Sequence, residues 1–171
     1  MTGTAGDTYN VAVGYDAGTA VTTGTNNTII GGQAGDALTT GSFNVALGKS
    51  ALSTEDAHGR NVAIGYAALE TQDAGTDANN VAVGFNAGNA VTTGVQNTLI
   101  GGAAGDALTE GDNNIIIGYN AAASAVSASN ETVIGTTTTT SALVHGLKQP
   151  VIAASANVAA AAAFPNSIFN F

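Results

Sequence analysis

An all-β solenoid of about eight 17-residue coils is the fold class that three features of this sequence predict. A short motif, Asn-x-x-x-Gly, recurs at near-constant spacing along most of the chain. The gap in each motif holds β-branched residues, Leu or Ala, a choice that suits a strand packed on one face. Charged residues supply only 9% of the chain and aromatics 5%, with 23 Gly and neither Trp nor Cys. The apolar side chains are therefore small and evenly spread, and order has to come from regular stacking rather than from one bulky core.

The motif opens at Asn10, Asn27, Asn44, Asn61, Asn80, Asn97 and Asn114, and closes at Gly14, Gly31, Gly48, Gly65, Gly84, Gly101 and Gly118. An eighth unit closes at Gly135, where Glu131 takes the Asn position. The glycines are 17 residues apart, except for 19 between Gly65 and Gly84. A larger duplication lies on top: residues 10–43 align without a gap on residues 80–113, with 24 of 34 positions identical.

Each unit reads as a strand and a turn. In Val11-Ala12-Val13, Val62-Ala63-Ile64 and Val81-Ala82-Val83, large and small residues alternate, so one face carries Val or Ile and the other a bare methyl. The closing glycine permits positive φ where the chain bends, which makes the eight glycines candidate structural turn residues. A second short strand is expected over residues 17–21 and 34–38, leading into a polar Thr-Thr-Gly or acidic turn. Two short strands and two turns make one coil. The asparagines, stacked at one coil position, can form a ladder that bonds successive turns. One coil offers only three or four aliphatic side chains to its own interior, and the open ends of the stack expose edges. The Ala face suits a second backbone better than water, so association through it is expected.

Composition excludes several functions. The formal charge is −9, and Lys49, Arg60 and Lys148 are scattered, so neither nucleic acid nor an anionic membrane surface is an expected partner. The longest apolar run, residues 158–164, is too short to insert through a bilayer. Without Cys there is no thiolate catalysis and no Cys-type zinc site.

The units NVAVGYDAG (residues 10–18), NVAIGYAAL (61–69) and NVAVGFNAG (80–88) resemble the head repeats of YadA-like trimeric autotransporter adhesins, which also occur in bacteriophage fibre proteins. The resemblance covers roughly residues 9–136. It implies a left-handed parallel β-roll with three chains wound about a common axis, binding through the outer surface, and no chemistry. We find no signal peptide, heptad stalk or alternating membrane-anchor strands in the sequence. The expected role is accordingly a structural fibre or decoration protein of a phage virion, a homotrimer that is not an enzyme. The alternative is the head of a bacterial cell-surface adhesin that binds matrix or carbohydrate.

The chain then divides into a lead-in (1–9), the repeat domain (10–136) and a C-terminal capping or docking segment (137–171). Phe164, Ile168, Phe169 and Phe171 crowd the terminus after an Ala-rich stretch and are candidates for docking on a capsid or tail protein. The two-residue insertion in the fourth unit carries Glu70, Asp73 and Asp77, candidates for an outer contact with a host-surface receptor. His58, near Glu55, Asp56 and Arg60, reads as part of a solvated turn, since a catalytic role would need a nucleophile and a cleft. Residues 31–36, Gly-Gly-Gln-Ala-Gly-Asp, partly match a calcium-binding nonapeptide, but Ala stands at its fourth position and the period is wrong. The paired threonines at 22–23, 39–40 and 92–93 are adjacent rather than alternating, which argues against an ice-binding rank. No cofactor or metal is expected.

Overall fold

The computed structural model describes residues 8–139. Eight three-residue strands form one parallel sheet in sequence order: β1 (Val11–Val13), β2 (Thr28–Ile30), β3 (Val45–Leu47), β4 (Val62–Ile64), β5 (Val81–Val83), β6 (Thr98–Ile100), β7 (Ile115–Ile117) and β8 (Thr132–Ile134). Each strand pairs in register with the same motif positions of the next, as in Val62↔Val81, Ala63↔Ala82 and Ile64↔Val83. The chain thus makes about seven turns of a parallel β-solenoid, with no helix among the described residues. The two extra residues between Gly65 and Gly84 leave this register intact, because the turn absorbs them.

The strand alternation is as expected, but its two faces are reversed. The middle residue points into the coil: Ala46, Ala63, Ala82, Ile29, Leu99 and Ile116 are all essentially inaccessible. The flanking Val and Ile face outward, Val13 being 58% and Ile134 54% exposed. The reason is the width of the coil. Its interior is filled by three columns: the strand's middle residue, an alanine column (Ala17, Ala34, Ala51, Ala68, Ala87, Ala104, Ala121), and a column opened by Val21 and Leu38. Two flanking Val or Ile per turn would not fit in that space at native packing density. In the third and fourth coils the strand contributes only Ala46 and Ala63, and Leu52 and Leu69 fill the gap from a position that is Gly18, Gly35, Gly88 and Gly105 elsewhere.

The expected second strand does not form. Residues 15–20 and their equivalents in the first six coils are successive turns, because two residues in each such stretch have left-handed φ, such as Asp16 at 54° and Gly18 at 57°. Their backbone still bonds the neighbouring coil, with Gly18 N–H donating to the Ala34 carbonyl at 3.0 Å and Ala20 N–H to Asp36 at 3.3 Å. A third left-handed position precedes every strand and holds Tyr9, Asn26, Phe43, Arg60, Asn79, Gln96, Asn113 and Asn130. Such a backbone costs about 1 kcal/mol or more for residues other than Gly and Asn, so inter-coil bonds must hold it in place.

One polar column, the motif asparagines, supplies many of those bonds. The Asn27 backbone N–H donates to Asn10 Oδ1 at 2.8 Å, and this contact repeats through Asn44, Asn61, Asn80, Asn97 and Asn114 to the Glu131 N–H. The amide nitrogen turns the other way and donates across its own coil, Asn27 Nδ2 to the Gly41 carbonyl and Asn97 Nδ2 to Gly111, both at 2.8 Å. The ladder therefore runs mainly side chain to backbone, with one amide-to-amide bond, Asn114 Nδ2 to Asn97 Oδ1 at 3.0 Å. It satisfies buried donors that would otherwise be orphaned.

The motif glycines are needed twice over. Gly84 has φ 145°, and a Cβ there would overlap the Gly101 carbonyl of the next coil. At Gly14 the same virtual Cβ lies 2.6 Å from Gly31 O. At Gly118 the nearest atom is Gly135 Cα at 3.2 Å, so the end of the stack is looser.

Candidate functional site

Two features stand apart from the repeat. The first is the outer face of the sheet. Its leading column reads Val11, Thr28, Val45, Val62, Val81, Thr98, Ile115, Thr132; its trailing column reads Val13, Ile30, Leu47, Ile64, Val83, Ile100, Ile117, Ile134. The trailing column is aliphatic at all eight levels, and no residue of either column is fully buried. Beside it the position after the motif glycine carries Tyr15, Tyr66, Phe85 and Tyr119, all exposed, with Tyr66 and Phe85 stacked at 5.2 Å between centroids. A long, flat, in-register apolar face is one that soluble chains normally cover.

The second feature is the junction of the third and fourth coils. By register, Glu55 and Gln72 occupy the interior column that holds Val21, Leu38, Val91 and Leu108 in other coils, and both are completely buried. Gln72 is satisfied: its Oε1 accepts from Asn80 Nδ2 at 2.6 Å and its Nε2 donates to the Thr92 carbonyl at 2.9 Å. Glu55 is not. Its Oε1 accepts from the His58 N–H at 3.0 Å and lies 3.6 Å from His58 Nδ1, but Oε2 has no hydrogen-bond partner. His58 Nδ1 and Asn61 Nδ2 are likewise buried without one. Loss of hydration pushes the Glu55 carboxyl above the usual carboxylate range, against the His58 N–H bond and the His58 charge, while Asp73 and Asp56 push it further up. The reading of this stretch as a solvated turn is therefore corrected: the repeat register carries Glu55 inside, even though Asp56 is exposed.

The three acids of the insertion segment part company. Asp73 stacks on Asp56, one coil apart, in a column that holds Thr22, Thr39, Thr92 and Thr109 elsewhere, and it joins the Glu55 and His58 group. Asp77 pairs with Arg60, Oδ2 to Nε at 2.8 Å, and accepts the Gly59 N–H at 3.1 Å. The Arg60 guanidinium also lies 5.7 Å from the Phe43 ring centre. Glu70 is half-buried and accepts from Asn89 Nδ2 at 2.7 Å. In the eighth unit Glu131 accepts from the Ser124 N–H at 2.9 Å and from its hydroxyl, and these bonds hold its carboxyl below the usual range. An apolar depression of about 220 Å³ lies next to Ser124, between Leu108 and Val126. The docking candidates Phe164, Ile168, Phe169 and Phe171 lie outside the described residues.

Among known proteins, no family model matches the chain, and no curated protein or solved structure matches it either.

Proposed function

We propose that this chain is one of three identical strands of a structural fibre or decoration protein on a phage virion, without enzymatic activity. The exposed trailing column from Val13 to Ile134 carries this reading. It forms an uninterrupted aliphatic stripe, and another copy of the same chain offers an apolar surface of the same length and pitch to cover it. Burying a half-exposed Val or Ile contributes about 1 kcal/mol, so eight levels supply several kcal/mol per chain toward association. Three left-handed rolls about one axis, as in the YadA-like heads that the motif resembles, cover the stripe on every chain and leave no open heterologous face. Residues 150–171, with Phe164, Ile168, Phe169 and Phe171, dock the fibre on a capsid or tail protein, and the outer surface is free for a host receptor.

The stacked, exposed Tyr66 and Phe85 favour a second reading, the head of a bacterial surface adhesin that binds carbohydrate, because flat aromatic faces suit sugar rings. Electron microscopy of phage particles labelled with antibody against the repeat domain separates the two. Label at regular positions on the particle supports the virion role. Particles without label, together with label on bacterial surfaces, would reverse the assignment.

A further inference from the structure

We propose that Glu55, Asp56, His58 and Asp73 form a binding site for a divalent first-row metal ion of the Zn²⁺ type, which staples the third coil to the fourth. Their donor atoms all lie within 4.8 Å of one another. A cluster of acids at a surface would mean little on its own, but Glu55 is not at the surface. It is completely buried in a column that is aliphatic in four other coils, and its Oε2 has no hydrogen-bond partner. A buried carboxylate with an idle oxygen is costly unless a cation or donor meets it. His58 Nδ1 is idle beside it, 3.6 Å from the other carboxylate oxygen.

The backbone shows why a staple belongs here. In the neighbouring turns this edge is closed by backbone bonds, Thr22 N–H to the Thr39 carbonyl, Asp73 to Thr92 and Thr92 to Thr109, each at 2.9 Å. Among the described residues no such bond joins Asp56 to Asp73, and the two-residue insertion follows Asp73 at once. Two like charges are left stacked where a bond is missing. A dication between them replaces repulsion by coordination.

The donor set selects the ion. Zn²⁺ takes carboxylate oxygen and imidazole nitrogen at about 2.0–2.2 Å, which puts tetrahedral donors roughly 3.4 Å apart. Asp56 and Asp73 are exposed and can close the remaining distance by side-chain rotation, with no shift of the coils. Ca²⁺ wants six or more oxygens, and an imidazole is a poor substitute for one. The site is complete within one chain and does not depend on the trimer.

The test uses the full chain, stripped with chelator and titrated with ZnCl₂ by calorimetry, with melting followed in parallel. We expect one Zn²⁺ per chain and a melting temperature raised by several degrees. The decisive variants are Glu55→Leu, which copies Leu38 and Leu108 and should therefore keep its melting transition in chelator, and His58→Gln. Both should bind zinc at least tenfold more weakly and lose the zinc-dependent rise, whereas His145→Gln, at the other histidine, should change neither. Failure of the stripped wild type to bind zinc would overturn the proposal. So would unchanged affinity in Glu55→Leu and His58→Gln, or loss of binding in His145→Gln alone.

Discussion

Replacing Gly84 by Ala separates two demands on the motif glycine, backbone angle and coil spacing. At φ 145° an L side chain is strained whatever its surroundings, a cost of about 1–3 kcal/mol. The new Cβ would also run into the Gly101 carbonyl and approach Gly102 N to 2.9 Å, and both are backbone atoms of a neighbouring coil that cannot swing aside. Forcing two coils apart resembles overpacking a core and costs roughly another 1–3 kcal/mol. Gly118 is the internal control, since its φ of 131° carries the same strain while its nearest neighbour stands off at 3.2 Å. Gly84→Ala should therefore lie below Gly118→Ala by about 1–3 kcal/mol per chain, or several degrees in melting temperature for a chain of this size. Circular dichroism melts of both variants at equal chain concentration make the comparison. Equal destabilisation would show that close approach of successive glycines does not set the coil spacing.

Asn80→Ala should cost about 1–3 kcal/mol, because it leaves the buried Asn97 N–H without its acceptor and Gln72 Oε1 without its donor; denaturant unfolding checks this, with Asn10→Ala at the half-buried first rung expected to cost less. Arg60→Ala should change stability by under about 1 kcal/mol, since the Arg60–Asp77 pair has more than half of the Arg side chain in water. Glu131 has a folded-state pKa below its ordinary value, so its contribution is present above the unfolded pKa and lost as pH falls through the folded one. Hydrogen-exchange protection of β8 amides, taken relative to the intrinsic exchange rate at each pH, should accordingly fall on acidification below about pH 4.3 by more in the wild type than in Glu131→Gln.

Much of this architecture is legible from spacing alone. The positions of all eight strands, the in-register stacking and the special status of the Asn and Gly columns follow from a period that only a solenoid explains. The inward face is not legible in one unit, because alternation in Val-Ala-Val shows that two faces exist without saying which is inside. The other units hold the answer: the middle position is always apolar, as in Ile29, Leu99 and Ile116, whereas the first position admits Thr28, Thr98 and Thr132. A column that tolerates hydroxyls faces outward. The burial of Glu55 is masked for a related reason, since its acidic neighbours suggest solvent while the 17-residue offset places it among Val21, Leu38, Val91 and Leu108. The strand expected over 17–21 falls mostly within the turns at 15–20, because left-handed φ at a residue such as Ala67 or Gln33 is imposed by inter-coil bonding and leaves no mark in local propensity. The grouping of Glu55 and His58 with Asp73 joins side chains from two coils, and no local pattern reveals it.

Sedimentation equilibrium of the full chain, with Val83→Asp alongside, bears most directly on the exposed aliphatic stripe as the axis of assembly. The wild type should sediment as three times 16.6 kDa. Val83→Asp places a charge on the stripe without touching the coil interior, and should shift the mass toward that of the single chain while the β spectrum persists. A wild-type protein that stays at 16.6 kDa at micromolar concentration, folded and soluble with its stripe in water, would contradict the trimer and the fibre built from it.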